Sequence, residues 1–140
     1  MARIHRFERD RVIHFSRCDA SGTVFFPQYL SMFNDLIEDW VTQGLGIPYA
    51  ELLGQRGVGL PTVSLSCQFT AISRMGECVT FGLTPERLGR SSVRLQLGCR
   101  RGDEARVQVE QVLVATDLRT HRPIDIPDDL RRAMTGFQHD

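Results

Sequence analysis

The sequence predicts an α+β fold in which one long central helix is wrapped by a curved antiparallel sheet of about five strands. Apolar residues recur every three or four positions over a stretch of about 17 residues, which is the period of an α-helix. Later segments alternate apolar and polar residues and are separated by short turns, so they should form antiparallel strands. The helix must bury its apolar face against this sheet, and residues 1–140 are then one domain.

The first strand is predicted over residues 6–15, where Val12 and Ile13 supply β-branched side chains. The long helix is predicted to begin at Pro27, because a proline fits the first turn of a helix. Its apolar face consists of Leu30, Phe33, Leu36, Ile37, Trp40 and Val41. The glycine-rich segment that starts at Gly44 ends this helix.

Four further strands are predicted in the second half of the chain. The first of them alternates a polar set with the apolar set Val63, Leu65, Cys67, Phe69 and Ala71. The turns between the strands are Arg74-Met75-Gly76, Gly89-Arg90 and Arg101-Gly102-Asp103. The last strand, residues 105–117, loses its alternation at residues 112–114, which indicates either a β-bulge or a segment buried on both faces. Short helices are predicted over residues 48–53 and 129–134, and Asp128 should cap the second.

Composition and charge exclude several classes of protein. Seventeen basic residues balance seventeen acidic residues, so no overall field attracts nucleic acid or a membrane surface. No apolar run approaches the roughly 20 residues that span a membrane, and the first residues lack the apolar core of a secretory signal. The four cysteines show no metal-binding spacing. We therefore expect a cytoplasmic, reduced protein that holds no metal.

A carboxylate stands between the first strand and the long helix, in the segment Arg17-Cys18-Asp19-Ala20-Ser21-Gly22-Thr23-Val24-Phe25-Phe26-Pro27. Asp19 should lie beside the positive end of the helix, where free backbone N–H groups can hold a developing negative charge. An acid and an oxyanion donor form a minimal set of groups for cleaving an activated acyl compound. The same residues are also typical of a plain turn, in which Gly22 supplies a positive φ rather than a close approach to substrate.

The order of elements resembles the hotdog fold, and the string Cys18-Asp19-Ala20-x-Gly22-x-Val24-Phe25-Phe26-Pro27-x-Tyr29 resembles the signature of the 4-hydroxybenzoyl-CoA thioesterase family. Further similarity runs through Gly57-Val58-Gly59-x-Pro61-x-Val63-Ser64 and through Glu86-Arg87-Leu88-Gly89-Arg90-Ser91. Anchored by these strings, the resemblance extends over most of residues 10–115. The resemblance implies hydrolysis of an acyl-CoA thioester, without a cofactor, by a homodimer or homotetramer (a dimer of dimers) with active sites at the dimer interface.

The resemblance also implies site residues. Asp19 is the essential carboxylate, acting as nucleophile or as general base, and the backbone N–H of Phe26 polarises the thioester carbonyl. Arg87 and Arg90 meet the CoA phosphates from a neighbouring subunit. The other residues implied to bind substrate are Gly22, Phe25, Asn34, Leu60 and Thr62.

Three positions depart from the family pattern. Asn34 stands where the 4-hydroxybenzoyl-CoA enzyme carries an acid that recognises the ring hydroxyl, Leu60 replaces a threonine, and Phe26 replaces a tyrosine. The N–H of Phe26 survives any side-chain change, but an amide at residue 34 lacks the charge-assisted strength of a carboxylate. We therefore expect an aryl-CoA substrate of the hydroxybenzoyl or benzoyl type, with a short-chain acyl-CoA or an acyl carrier protein thioester as the alternative.

Of two other functions of hotdog proteins, a dehydratase or hydratase is disfavoured and a non-catalytic acyl-thioester-binding protein stays a further alternative. A dehydratase or hydratase would need a histidine paired with an acid on the helix, and no histidine lies between His14 and His121. A non-catalytic acyl-thioester-binding protein would have no need of Asp19 or of the helix-start motif.

Overall fold

A computed structural model describes residues 2–138, and in this range a long helix packs on a five-stranded antiparallel sheet. The strands are β1 (Phe7–Val12), β2 (Val58–Gly59), β3 (Thr62–Phe69), β4 (Cys78–Leu88), β5 (Ser92–Arg101), β6 (Glu104–Val114), β7 (Thr116–Asp117) and β8 (Arg122–Pro123). The helices are α1 (Phe26–Asp39), α2 (Tyr49–Leu53) and α3 (Asp128–Thr135). The predicted hotdog arrangement is thereby confirmed, although residues 1, 139 and 140 lie outside the described range.

The strands of the large sheet follow the order β1-β4-β5-β6-β3, and every neighbouring pair is antiparallel. The predicted antiparallel pairing is confirmed, but β3 does not pair with β4, the next long strand in the chain. It lies at the far edge of the sheet beside β6, and β1 takes the place beside β4. The reason is that the connection over residues 70–77 does not close a hairpin, because its backbone bonds to the segment that precedes α1.

The apolar face of α1 forms the centre of the core. Phe33 is buried, and its ring centroid lies 5.1 Å from that of Phe81 on β4. The helix continues into a π-helical turn, Trp40–Gly44, so the helical segment ends at the predicted glycine. Trp40 is fully buried. Burying a large apolar side chain stabilises the fold by about 1.5–3 kcal/mol, so this face fixes α1 on the sheet.

The last predicted strand differs from the structure in two ways. Thr62 pairs with Leu113 and Ser64 with Val112, so Val63 is the extra residue of a β-bulge in β3, opposite the segment where the alternation is lost. The strand also ends at Val114 rather than at residue 117. β7 belongs to a small sheet, ordered β2-β7-β8, which the sequence does not predict because two-residue strands carry no periodic signal.

The start of α3 also differs from the prediction. Pro127 is the N-cap, and Asp128 lies in the first turn without a capping hydrogen bond. Its charge still interacts favourably with the helix dipole there. None of the helices within residues 2–138 combines the length and apolarity that a membrane crossing requires.

The two edges of the large sheet differ in charge. β1 reads FERDRV, and its Arg9 and Arg11 side chains donate hydrogen bonds to Gln43 and Asp39. β3 reads TVSLSCQF, without a charged residue, and its apolar side chains are largely exposed: Val63 at 61%, Leu65 at 43% and Phe69 at 49%. Charged side chains normally protect an edge strand from pairing with another chain, so β1 is protected and β3 is not.

Candidate active site

Asp19 lies in a tight loop between β1 and α1. Cys18 and Val24 form an antiparallel bridge at the base of this loop, and the Asp19 N–H donates to the Thr23 carbonyl at 3.0 Å. Gly22 has a φ of +80°, and a Cβ built there would meet no atom within 4 Å. The left-handed backbone, rather than crowding by the protein, therefore accounts for this glycine.

The Asp19 carboxylate is exposed and held at one oxygen. Oδ1 accepts hydrogen bonds from the Ser21 hydroxyl at 2.5 Å and from the Ser21 backbone N–H at 2.9 Å. These bonds, the hydroxyl first, lower the pKa of Asp19. The Thr23 backbone N–H also lowers the pKa of Asp19, whereas both bonds from Ser21 go to Oδ1. Asp19 is therefore ionised at neutral pH, and its Oδ2, which takes no bond from Ser21, can act on a substrate or a water.

The start of α1 supplies a backbone donor next to this loop. Phe25 is the N-cap, and its N–H donates to the Arg17 carbonyl at 3.0 Å. Phe26 follows as the first helical residue, and Pro27 has no N–H, so the Phe26 N–H is the first free donor of the helix. The first turn of α1, all of it in the described range, carries no acidic side chain that would neutralise the positive end.

Residues 72–77, which we call the clasp, hold the Asp19 loop from the side of the sheet. The Val24 N–H donates to the Ser73 carbonyl at 3.0 Å, and the Met75 N–H donates to the Gly22 carbonyl at 2.9 Å. Thr23 and Arg74 add an antiparallel bridge. The loop that carries the acid and the start of α1 are therefore attached to one shared backbone segment.

Exposed aromatic rings surround the start of α1. The Phe26 ring lies 5.6 Å from that of Phe25 and 6.0 Å from that of Phe69 on β3. Phe25 is 49% exposed and Phe26 is 60% exposed. The candidate oxyanion donor is therefore placed beside an apolar, aromatic surface at the unprotected edge of the sheet.

A cavity of about 320 Å³ brings together three other predicted residues, Asn34, Leu60 and Thr62. Glu38 and Tyr49 also line it, and burial raises the pKa of Tyr49. Asn34 is eight residues from Phe26 on α1, which corresponds to about 12 Å along the helix axis. This cavity is therefore separate from the Asp19 loop of the same chain.

The predicted phosphate-binding residues lie elsewhere again. Arg87 is near the end of β4, whereas the clasp leads into the start of that strand at Cys78. Nine residues of strand span about 30 Å, so Arg87 is remote from the Asp19 loop of its own chain. Arg90 is 85% exposed at its side chain and pairs with Asp125 at 2.7 Å.

The site includes residues that the sequence analysis missed. Ser21 binds the acid directly, whereas Ser73 and Arg106 support the loop through the clasp. A serine two residues after an aspartate is a common turn pattern, so its effect on Asp19 could have been predicted. Arg106 could not, because a basic residue in an alternating strand is normally assigned to the polar face.

Comparison with known proteins gives thioesterases or CoA-thioester hydrolases at the level of family, sequence and structure. Residues 13–134 match the model of the family described as the thioesterase-like superfamily. The chain is 26% identical over 121 residues to a 1,4-dihydroxy-2-naphthoyl-CoA hydrolase of Thermosynechococcus vestitus, covering 86% of this chain and 82% of that one. It is 25% identical over 126 residues to the enzyme of the same name from Synechococcus elongatus, covering 89% and 92%. A thioesterase superfamily protein of Jannaschia sp. CCS1 has the same fold, with a TM-score of 0.89 over 100% of both chains at 17% identity.

Proposed function

Because the chain belongs to the thioesterase-like superfamily and is a hotdog thioester hydrolase, we propose that it cleaves an aryl-CoA thioester to the free acid and CoA. The predicted family is confirmed at the level of the superfamily, whereas a specific 4-hydroxybenzoyl-CoA thioesterase remains a proposal. The observation that carries the proposal is that the loop of the ionised Asp19 and the segment leading to the Phe26 N–H are bonded to the same clasp. In this proposal a thioester carbonyl that accepts from this N–H presents its carbon to the acid of the adjoining loop.

The chemistry has two routes through the same geometry. In the first, the free Asp19 oxygen attacks the carbonyl carbon, the C–S bond breaks, and water hydrolyses the resulting anhydride. In the second, Asp19 accepts a proton from a water that attacks the carbonyl directly, and the thiolate leaves. Both routes build negative charge on the carbonyl oxygen, which the Phe26 N–H and the positive end of α1 stabilise. Thiolate is a good leaving group, so neither route requires a strong general acid.

The aryl preference is supported by the surface around the start of α1. The Phe25, Phe26 and Phe69 rings offer faces and edges against which an aromatic acyl group can stack. The relative from Thermosynechococcus vestitus is named for an aromatic acyl-CoA. An aliphatic chain would also be buried against these rings, but it could not stack on them.

A homodimer through β3 would complete the site. β3 is an uncharged, exposed edge, and the aromatic start of α1 continues its apolar surface. Phe69 at one end of β3 is next to Phe26, and Thr62 at the other end lines the Asn34 cavity. Antiparallel pairing of two β3 strands brings opposite ends together, so the cavity of one copy faces the Asp19 loop of the other.

Sharing of one site between two copies of the chain also assigns the binding of the CoA nucleotide to Arg87 and Arg90. Both are exposed, and both are too far from the Asp19 loop of their own chain to serve it. In an oligomer they can reach the phosphates of a CoA bound at another copy's site.

The proposal is tested with a panel of benzoyl-CoA, hydroxybenzoyl-CoA, phenylacetyl-CoA and short aliphatic CoA esters, compared by kcat/KM. We expect the aromatic esters to exceed the aliphatic esters by at least about tenfold. A preference for the aliphatic esters would contradict the aryl assignment, and hydrolysis of none would contradict the whole proposal.

A further inference from the structure

Arg106 occupies an irregular position on β6. Cys99 pairs with Val107 and Arg100 pairs with Ala105, so Arg106 is the extra residue between these pairs. The bulge turns its side chain inward, and only 6% of that side chain is exposed. An arginine is seldom buried to this degree without a full set of partners.

The partners of Arg106 belong largely to the clasp. Its Nη1 donates to the Ile72 carbonyl at 2.8 Å, to the Ser73 hydroxyl at 3.1 Å and to Glu77 Oε1 at 2.9 Å. Its Nε donates to Glu104 at 2.6 Å. The bond from Arg106, followed by one from the Arg74 N–H, lowers the pKa of Glu77 to about 2. One guanidinium therefore binds the clasp at both of its ends.

The clasp is connected to the segments that carry the candidate catalytic groups by two backbone hydrogen bonds. Val24 lies two residues before Phe26, and its N–H donates a hydrogen bond to the Ser73 carbonyl. Gly22 lies three residues after Asp19, and its carbonyl accepts a hydrogen bond from the Met75 N–H. Because these two bonds attach at different residues of the clasp, a change of its backbone between Ser73 and Met75 would move Asp19 relative to the start of α1. A misplacement of about 1 Å can cost about 100-fold in rate.

We infer that Arg106 is a positioning residue for hydrolysis, which fixes the distance between the Asp19 carboxylate and the Phe26 N–H through the clasp. This inference rests on the proposed function. A buried ion pair is a weak source of stability compared with apolar packing, so stability alone is a poor reason for a charge here. The planar guanidinium matters because it donates to Glu104 from Nε and to the clasp from Nη1 at once, whereas the single nitrogen of a lysine lies one bond short of the position of Nη1.

The same sheet provides a matched control. Arg100 on β5 pairs with Glu8 at 2.9 Å, and 21% of its side chain is exposed. Its described hydrogen bonds go to Glu8 and to the Gly102 carbonyl, away from the clasp. Arg100→Lys therefore disturbs a half-buried arginine–carboxylate pair without disturbing the Asp19 loop.

The first test compares Arg106→Lys and Arg100→Lys on the fastest ester of the panel. We expect Arg106→Lys to lower kcat by about 10–100-fold with KM within about twofold, and Arg100→Lys to leave both constants near wild type. Folding is verified by thermal unfolding of each variant. Should Arg106→Lys fail to fold, Ser73→Ala removes one clasp contact and keeps the ion pair, and we expect a loss of about 2–10-fold in kcat. An unchanged kcat in the folded variant would overturn the inference.

The second test asks whether Arg106 acts through Asp19. In an Asp19→Asn background, Arg106→Lys should lower the residual rate by no more than about twofold, because the acid that it positions is absent. An equal fold-loss in both backgrounds would mean that Arg106 affects only the fold.

A third measurement is independent of the substrate. Hydrogen exchange of the amides at residues 19–26 should be faster in Arg106→Lys than in Arg100→Lys or wild type. Unchanged exchange would overturn the positioning role even if the panel contained no substrate. Inactivity of the wild type, by contrast, would count against the proposed function alone.

Discussion

Ser21 donates two hydrogen bonds to the same oxygen of Asp19, one from its hydroxyl at 2.5 Å and one from its backbone N–H at 2.9 Å. Both bonds favour the charged form of the acid and lower its pKa. They also fix the orientation of the carboxylate, because the bonded oxygen must face the turn. The serine thus determines which oxygen is presented to the substrate.

Replacing Ser21 by alanine should therefore change the pH dependence of hydrolysis. Loss of the hydroxyl raises the pKa of Asp19, and activity requires the ionised acid, so the acid limb of the kcat/KM profile should move to higher pH. The loss of one hydrogen bond should also lower kcat by about 2–10-fold at neutral pH. An acid limb at the wild-type position would show that Asp19 does not control it.

Replacing Asp19 by asparagine should abolish most of the activity and leave the fold intact. The side chain is exposed, and asparagine can still accept both bonds from Ser21, so only the charge is lost. We expect kcat/KM to fall by about 10²–10⁴-fold with an unchanged circular dichroism spectrum. Asp103→Asn, at an exposed hairpin turn, is the matched control. Wild-type turnover in Asp19→Asn would remove the assignment.

A charge on the β3 edge should dissociate the proposed dimer. Leu65 is 43% exposed near the middle of β3, and Leu65→Lys would place two like charges close to the two-fold axis. Sedimentation should then show a monomer, with a parallel loss of hydrolysis. Val12→Lys, at an exposed position on the opposite edge, should leave the oligomer intact. A Leu65→Lys protein that remains dimeric would exclude β3 as the interface.

Replacing Arg90 by alanine should affect KM for CoA esters more than KM for truncated thioesters. If Arg90 binds the nucleotide phosphates, KM should rise by about tenfold for CoA esters and change little for N-acetylcysteamine thioesters. Asp125 now pairs with Arg90, so Asp125→Ala should free the arginine and lower KM for CoA esters. Equal effects on both kinds of thioester would show that Arg90 does not touch the nucleotide.

Acid should destabilise the fold partly through Glu77. The folded-state pKa of Glu77 is lowered from 4.5 to about 2 by its bond from Arg106. Its contribution to the free energy of unfolding is therefore complete above pH 4.5 and is lost as the pH falls toward 2. Glu77→Gln should flatten this part of the melting temperature profile between pH 6 and pH 3. Asp129, whose pKa Arg56 also lowers to about 2, keeps some acid dependence in that variant.

The parts of the fold that the sequence predicts are those with a clear period. The apolar face of α1 and the alternation of β5 each repeat over several turns or residue pairs, and both elements appear where expected. The neighbours of β3 could not be predicted, because alternation shows which face a residue takes but not which strand lies beside it. The exposure of Leu65 has the same origin, since an apolar residue on an edge strand reads like a core residue.

The candidate site divides in a similar way. The loop around Asp19 and Gly22 follows from local turn chemistry and from the start of a helix, both of which are readable in the sequence. The contact of Arg106 with the clasp depends on a bulge that lies 34 residues after Ile72 in the chain, for which no local pattern exists. Distant supports of a loop become visible only when the strands are placed in space.

The unprotected β3 edge has a practical consequence for measurements on this enzyme. If each active site is built from residues of two subunits, dilution of the protein dissociates the subunits and takes the site apart. Specific activity then falls as the protein concentration in the cuvette approaches the dissociation constant of the pair. Rate constants for different substrates are comparable only when they are measured at one enzyme concentration well above that constant.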